Sequence, residues 1–366
     1  MANRRPLVLV DGRRKELPFV DSLPGSLIEA YQGRNHIING GLDLWQRGSN
    51  ATVPGYQAVD RFVHNVGGNS AASMSRIALL PEDFPAGVFS PSNACRIVIN
   101  SNGTDTVNNF ITLQHRAENV ARFSNRLLHY GMWVRVNNPG LKVVFEATAD
   151  PGAGGASNGG LSNTIGVKTF TIAQANVWTF CPNPFQFPTV RGFSIVSPEL
   201  SSLRYNIWMS AGTAHNSRNQ NLGFQPVNSV FDFAMMQLEY GSAPSPFEVS
   251  PMAAIIAACQ RYYEKSYDLS VIPGGAATAG RISRSNSAAV GGINFQNYAF
   301  KVPKRVTPAV SIYNPATGAA GRVQQDSDSD VLGSIINIGQ TGFEVAWTNT
   351  VSRWGGWIHF AADAEI

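Results

Sequence analysis

Apolar residues along this chain recur mainly at every second position. Leu141, Val143 and Phe145 alternate with Lys142 and Glu146, and Leu203, Tyr205, Ile207 and Met209 alternate with Arg204, Asn206 and Trp208. Phe170 and Ile172 lead into a polar turn and then a second aromatic-rich run that ends at Cys181. Farther on, Phe231, Phe233 and Met235 mark one face and Met236 and Leu238 the other, which predicts a strand buried on both sides at its end. A period of two is the signature of strands. Clusters of Gly, Pro, Asn and Ser separate these runs, and helical periodicity is scarce, so residues 35–250 are expected to form one large antiparallel sandwich.

The stretch HIINGGLDLWQRGSN, residues 36–50, predicts a short strand with Leu42 and Leu44 on one face and Asp43 and Trp45 on the other. Asn39-Gly40-Gly41 supplies a sharp turn into it. The pattern changes after residue 250. Ser250 is placed to cap a helix and Pro251 to occupy its first position, and Met252, Ile255, Ile256, Cys259, Tyr262 and Tyr263 recur at helical spacing. Arg261 and Lys265 fall near its end, where positive charge suits the dipole. This predicts a helix of about four turns within a linking segment, residues 251–268. Residues 269–366 return to short strands and read as a second, smaller β domain. Residues 1–34 hold two short strands around Asp11-Gly12 and a break at Pro24-Gly25. A segment of that size cannot bury a core alone, so it reads as an anchor.

Composition narrows the function classes. Charged residues make up 14% of the chain, against about 25% in typical domains, which favours turn-rich sheets over charged amphipathic helices. The net charge is +4, and the densest basic run, Arg13-Arg14-Lys15, is followed at once by Glu16. Such a chain lacks the basic track of a nucleic-acid binder. No apolar run approaches the length of a membrane span, and the N-terminus carries no signal-peptide core, so membrane insertion is not expected and synthesis is expected in a cytoplasm. Cys95, Cys181 and Cys259 are widely spaced and read as small buried apolar residues.

Motifs for chemistry are weak. Gly155-Ala156-Ser157-Asn158-Gly159 matches a hydrolase nucleophile pattern, but no helix follows the serine. Asp326, Asp328 and Asp330 imitate half a calcium loop, yet Val331 and Asn337 stand where glycine and glutamate are needed. His36, His64, His115, His129, His215 and His359 show no ligand spacing. No metal, no cofactor and no catalytic residue is nominated. Aromatic rings remain, since sugars stack their C–H faces on them. Trp178 and Trp208 lie opposite Val177 and Ile207, and Trp347, Trp354 and Trp357 cluster near the C-terminus around Gly355-Gly356. These five are the glycan-binding candidates.

HIINGGLDLWQRG followed by GYQAVDRF resembles a module of tail-fibre and other appendage proteins of tailed bacteriophages. FAMMQLEYGSAPSPFEVSP with CQRYYEKSY, the ending NIGQTGFEVAW…IHFAADAEI, and the opening PLVLVDGRRKELPFVDSL carry the same likeness in order. Val59 is inserted in AVDRF, and Phe62 stands where tryptophan is common. The resemblance implies a carbohydrate-binding-module-like jelly roll in the centre, so that the whole is all-β with an N-terminal anchor, a large jelly roll, one linking helix and a smaller C-terminal β-sandwich. It makes Trp45, Arg47, Asp60 and Arg61 structural residues that start and lock the sandwich. It also implies a non-enzymatic virion protein, a homotrimer held to other tail proteins through residues 1–34 and binding a host-surface glycan. A structural adaptor or decoration protein is the alternative, with a glycan depolymerase behind it because no β-helix repeat is present.

Overall fold

The computed structural model describes residues 7–10, 13–16, 33–152, 165–195, 197–284, 289–325, 329–351 and 355–366. It divides into two compact units, Met1–Arg34 and Asn35–Ile366. In the first, β1 (Leu7–Val10) pairs antiparallel with β2 (Arg13–Glu16), Val10 opposite Arg13. The gap between them is the Asp11-Gly12 dipeptide, which lies outside the described residues.

The second unit is all-β apart from short helices. Its first strands are β3 (Asn50–Ala51), β4 (Phe62–Gly67), β5 (Ala71–Ala78), β6 (Asn93–Ser101), β7 (Phe110–Glu118), β8 (Leu127–Val136), β9 (Lys142–Asp150), β10 (Ile165–Thr171), β11 (Thr179–Gln186), β12 (Ser202–Ala211) and β13 (Val230–Tyr240). They form a five-stranded sheet, β10-β9-β12-β7-β4, and a six-stranded sheet, β11-β8-β13-β6-β5-β3, as a jelly-roll sandwich. The alternation of the sequence is what closes it. Leu113, Val143, Phe145, Leu203, Tyr205, Ile207 and Met209 from one sheet meet Ile97, Tyr130, Met132, Val134, Phe231 and Phe233 from the other. At the centre the rings of Tyr130 and Tyr205 stack with centroids 4.9 Å apart. Cys95 and Cys181 lie in the same core and Cys259 in a separate small one, all as free thiols.

Strand β13 departs from its expected pattern. Its pairing with β8 shifts between Ala234 and Gln237, and Met235 takes a φ of 50°. The extra residue of this bulge rotates the strand, so Met236 and Leu238 rejoin Phe231 and Phe233 in the central core. Met235 instead packs in a separate cluster with Leu79, Phe84 and Trp178.

After the sandwich come a helical turn, α1 (Asn216–Asn219), set within the β12–β13 connection, and the helix α2 (Met252–Gln260). The expected helix over 251–265 is thus shorter. Pro251, not Ser250, is its N-cap, and Tyr263–Lys265 form a strand, β14. Pairing of Tyr263 with Asp363 gives that backbone its hydrogen bonds, and adjacent tyrosines then point to opposite sides, each against a different arginine. The remaining strands are β15 (Ile282–Arg284), β16 (Ile293–Ala299), β17 (Ala309–Tyr313), β18 (Arg322–Gln325), β19 (Ser329–Ile336), β20 (Gly342–Thr348) and β21 (Gly356–Asp363). Together with β14 they make one connected sheet in which β21 pairs with β14, β15, β17 and β18. Its core holds Tyr298, Ile312, Val323, Phe343, Val345, Trp347, Ile358 and Phe360. Among the described residues no helix is long and apolar enough to cross a membrane.

Five of the six histidines are packed into this framework. Burial holds His36 and His64 down to about 4, lowers His115 further, and depresses His129 and His359. From pH 6.5 downward the unfolded chain therefore binds more protons than the folded one, so stability rises with pH. Asp60, pushed up to about 6 by burial, acts in the opposite sense, as do Asp43 and Glu146, which burial also raises, but these carboxyls are fewer than the five histidines. Unfolding free energy should fall between pH 7.5 and 5.5, by about 1 kcal/mol for each fully desolvated histidine. Urea denaturation at the two pH values measures this. A flat profile would contradict it, and a His36→Gln, His64→Gln double variant should reduce the slope.

Candidate functional site

Residues 37–48 form turns and irregular backbone, not the strand predicted for Leu42–Trp45. A side chain organises them. Asn39, at φ 60°, accepts from the amides of Asp43 and Leu44 and donates to the carbonyls of Leu44 and Asp60. Trp45 Nε1 donates to the Leu42 carbonyl at 2.6 Å. The glycine matters because a Cβ on Gly40 would lie 2.1 Å from the Met236 carbonyl, and Met236 donates its amide to Gly40. Leu42, Leu44 and Trp45 are buried as expected of apolar residues, by a loop whose polar groups are satisfied internally.

This loop presents charges to the far end of the chain. Asp60, fully buried, accepts from the Gln46 amide at 2.7 Å and Gln46 Nε2 at 3.1 Å, with Arg47 Nη1 3.5 Å away. Arg47 reaches Asp363 at 3.3 Å and Glu365 at 3.2 Å and lies 3.7 Å over the Tyr263 ring. Arg61, also fully buried, pairs with Glu365, donates to the Arg116 carbonyl at 2.7 Å and stacks 3.4 Å over Tyr262. The acids beside them raise both guanidinium groups above their ordinary range against the cost of burial. Arg305 adds donors to the Ala364 and Glu365 carbonyls. Arg47 and Arg61, with Asp60 beside Arg47, thus tie the sandwich to β14 and the final residues of the second β region, while Trp45 stays in the sandwich core.

Three of the five candidate tryptophans present no open ring. Trp347 is 3% exposed in the C-terminal core, lying where a Cβ on Gly356 would approach its Cζ2 to 2.5 Å. Trp178, 6% exposed, stacks on Phe84 with Arg135 4.8 Å from its ring. Trp208 donates its Nε1 to Glu146 at 2.9 Å, while Arg218 and His215 pack on the ring. Period two places Trp178 and Trp208 on outer sheet faces, but loops and α1 cover them there. Trp357 is half-buried beneath Arg281 at 4.9 Å. Trp354, Asp326, Asp328 and the 155–159 glycine motif lie outside the described residues. Among the described residues no three His, Cys, Asp or Glu side chains gather to hold a metal.

The open aromatic surface is elsewhere, in a groove of about 550 Å³ on the outer face of the six-stranded sheet. Even-numbered residues of β8 face the core, so His129, Gly131 and Trp133 face outward. Across the ladders Trp133 lies opposite Phe180, Gly131 opposite Gln237, and His129 opposite Glu239. These form the floor with Met235, which the bulge turns outward. One wall is Gly87–Phe89 from the β5–β6 connection and the other Pro244–Phe247 after β13. Phe89, 43% exposed, stacks with Phe247 across a 5.9 Å centroid distance, and Trp133 and Phe180 meet at 5.5 Å.

A residue other than glycine at 131 would crowd this floor, since its Cβ would lie 2.9 Å from Phe180 and 3.1 Å from His129. Its polar end is tightly built. Glu239 accepts from the Ser245 amide at 2.9 Å, from Ser245 Oγ and from Gln237 Nε2 at 3.1 Å, and Gln237 Oε1 accepts from the Glu248 amide. His129 Nε2 is buried without a hydrogen-bond partner among the described residues, and burial lowers the imidazole's pKa. The groove thus offers aromatic rings along one part and hydrogen-bonding groups at the other, as small-molecule sites do.

No family model matches the chain, and no curated protein does. Solved structures similar to it include carbohydrate-binding modules. A candidate sugar-binding protein from Bacteroides thetaiotaomicron matches at 10% identity and TM-score 0.34, over 57% of this chain and all of that one. A family 11 carbohydrate-binding module from Clostridium thermocellum, in complex with a β-1,3-1,4-mixed-linked tetrasaccharide, matches at 10% and 0.29, over 54% and 97%. A xylan-binding domain from Paenibacillus barcinonensis matches at 9% and 0.26, over 54% and 99%. Likeness at this level transfers no function.

None of the groove residues stood out in the sequence. The usable signal was Trp133 in HYGMWVRV, an aromatic out of phase with Tyr130, Met132 and Val134. The charge cluster makes the sharper mutational forecast. Glu365→Ala leaves the fully buried Arg61 without its carboxylate and should cost about 3–5 kcal/mol, lowering the melting temperature, while Arg61→Ala, after which Arg47 still pairs with Glu365, should cost less. Thermal unfolding of both variants and the double variant measures it, and a double variant no worse than either single would show that the two act as a pair.

Proposed function

We propose that this chain binds a glycan in the groove on the six-stranded sheet, as the receptor-binding part of a bacteriophage tail appendage. The observation that carries the glycan reading is the groove's lining, which combines the exposed ring of Phe89 and the half-buried rings of Trp133, Phe180 and Phe247 with polar groups at His129, Gln237, Glu239 and Ser245. Sugar rings offer C–H faces to the negative face of an aromatic ring and hydroxyls to fixed polar groups. Nucleobases also stack on such rings, but their sites carry cations for the phosphates; among the described residues no Lys or Arg lines this groove. Among the described residues Glu239 is the one carboxylate in the lining, whereas glycoside cleavage ordinarily uses two. This favours binding over hydrolysis.

The appendage part of the reading is supported by the ordered sequence motifs, from HIINGGLDLWQRG to IHFAADAEI. In it, residues 1–34 attach to a tail protein, the assembly is a homotrimer, and repeated weak sugar sites act together on the cell surface.

The test is adsorption of labelled full-length protein to a panel of bacterial cells, with extracted surface polysaccharide as competitor. Saturable, competed binding is expected. Trp133→Ala or Phe180→Ala should weaken it at least tenfold, corresponding to about 1.4 kcal/mol per ring, when assayed at a temperature where each variant is shown by circular dichroism to be folded. Binding that survives both substitutions would place the receptor site elsewhere, and no binding by a folded protein would favour a structural virion component.

A further inference from the structure

We infer that the outer face of the C-terminal sheet joins this chain to further copies of itself, with Arg322 of one copy meeting Asp330 of the next. This rests on the homotrimer of the proposed function and locates its contact; it does not depend on the glycan groove. Three neighbouring strands build the face. On β16 Tyr298 turns into the core, while Ile293 and Phe295 turn outward, 61% and 47% exposed. Thr348 and Ala346 stand opposite them on β20, and Ser334 lies opposite Ala346 on β19. Leu332, two residues before Ser334, shares that outer face and is 67% exposed, the most of any large apolar side chain among the described residues. Ile293 and Leu332 line one hollow of about 550 Å³ with Ala346 and Thr348 between them. Single exposed apolar residues are ordinary, but a contiguous apolar face marks a contact. The sheet edge points the same way. Strand β16 ends the sheet and holds no charged residue and no proline from Ile293 to Ala299, whereas edges left to solvent are ordinarily guarded by them.

Two charges at the rim identify the partner. Arg322, opposite Leu332 across the β18–β19 ladder, and Asp330, opposite Gln324, both line the hollow. Among the described residues neither forms an ion pair. Asp330 accepts one hydrogen bond, from Asn314 Nδ2 at 3.0 Å. One apolar surface thus carries a cation and an anion that its own chain leaves unpaired, which makes it complementary to itself. Turned about a symmetry axis, a second copy brings its Asp330 to Arg322 while the Leu332 and Ile293 side chains of both leave water, and each further copy repeats the pair until the ring closes. A glycan is a poorer occupant, because Ile293 and Leu332 are aliphatic and offer no ring to a sugar face. Nucleic acid or an anionic membrane would need more cations than the single Arg322 among the described lining residues.

Sedimentation equilibrium of the full chain over a range of concentrations tests this. A trimer is expected. Leu332→Glu, at a side chain that solvent largely surrounds in the single chain, should leave the circular dichroism spectrum unchanged and weaken association by about tenfold or more. Monomer should then appear at concentrations where the wild type is assembled. Arg322→Asp and Asp330→Arg should each act in the same direction. The variant carrying both changes should reassemble, because the exchanged charges again meet across the contact. An assembly that survives Leu332→Glu and both single charge reversals would overturn the inference and leave the homotrimer to another contact. A double charge variant as monomeric as either single would overturn the pairing of Arg322 with Asp330. A wild-type monomer at every concentration would overturn both the inference and the homotrimer, and leave the face to a different protein.

Discussion

The pairing of Arg61 and Arg47 with Glu365, Asp363 and Asp60 is the constraint on which the rest of this structure depends. A guanidinium removed from water is tolerated only when acceptors and rings surround it. Arg61 has them: Glu365, the Arg116 carbonyl and the Tyr262 ring. These partners come from the β7 strand, the segment after α2 and the last residues of the chain, so none can be displaced without stranding a charge. That requirement joins the jelly roll and the C-terminal sheet into one compact unit. It also explains why Arg61 adopts a left-handed φ of 72°, an uncommon conformation for a residue with a side chain.

The same logic of satisfied burial shapes the outer face of the six-stranded sheet. The bulge in β13 sends Met235 outward and restores Met236 and Leu238 to the core, so that one strand supplies both the floor of the groove and the interior beneath it. Gln237 and Glu239 then hold the Pro244–Phe247 wall through Ser245 and the Glu248 amide. A rigid sheet with a wall pinned to it keeps the rings of Trp133, Phe180, Phe89 and Phe247 in fixed relation. Preorganisation of this kind lowers the conformational entropy the protein itself would lose on binding a ligand.

Much of the fold was legible because strand burial is a local property. Alternation assigned Leu203, Tyr205, Ile207 and Met209 to the interior, and the structure places them there. The misses share one cause. Leu42–Trp45 alternates like a strand, but Asn39 satisfies that backbone with its own amide and no ladder forms. The helix expected to reach residue 265 stops at Gln260, because β21 offers Tyr263–Lys265 a hydrogen-bonding partner about 100 positions farther along the chain, a pairing that local spacing cannot announce. For Trp178 and Trp208 the outward face was right, yet Phe84 and α1 with its flanks cover it.

By itself the sequence determined the all-β class, the two β regions with a helix between them, and the apolar faces that meet inside the sandwich. Periodicity and turn chemistry act over a few residues, so they can be read without knowing any long-range neighbour. Only the tertiary structure decided which rings stay open, where Glu239 and His129 meet, and which acids neutralise Arg47 and Arg61. Those outcomes depend on loops and strands far apart in the chain, and on whether a polar group, once removed from water, finds its partner there.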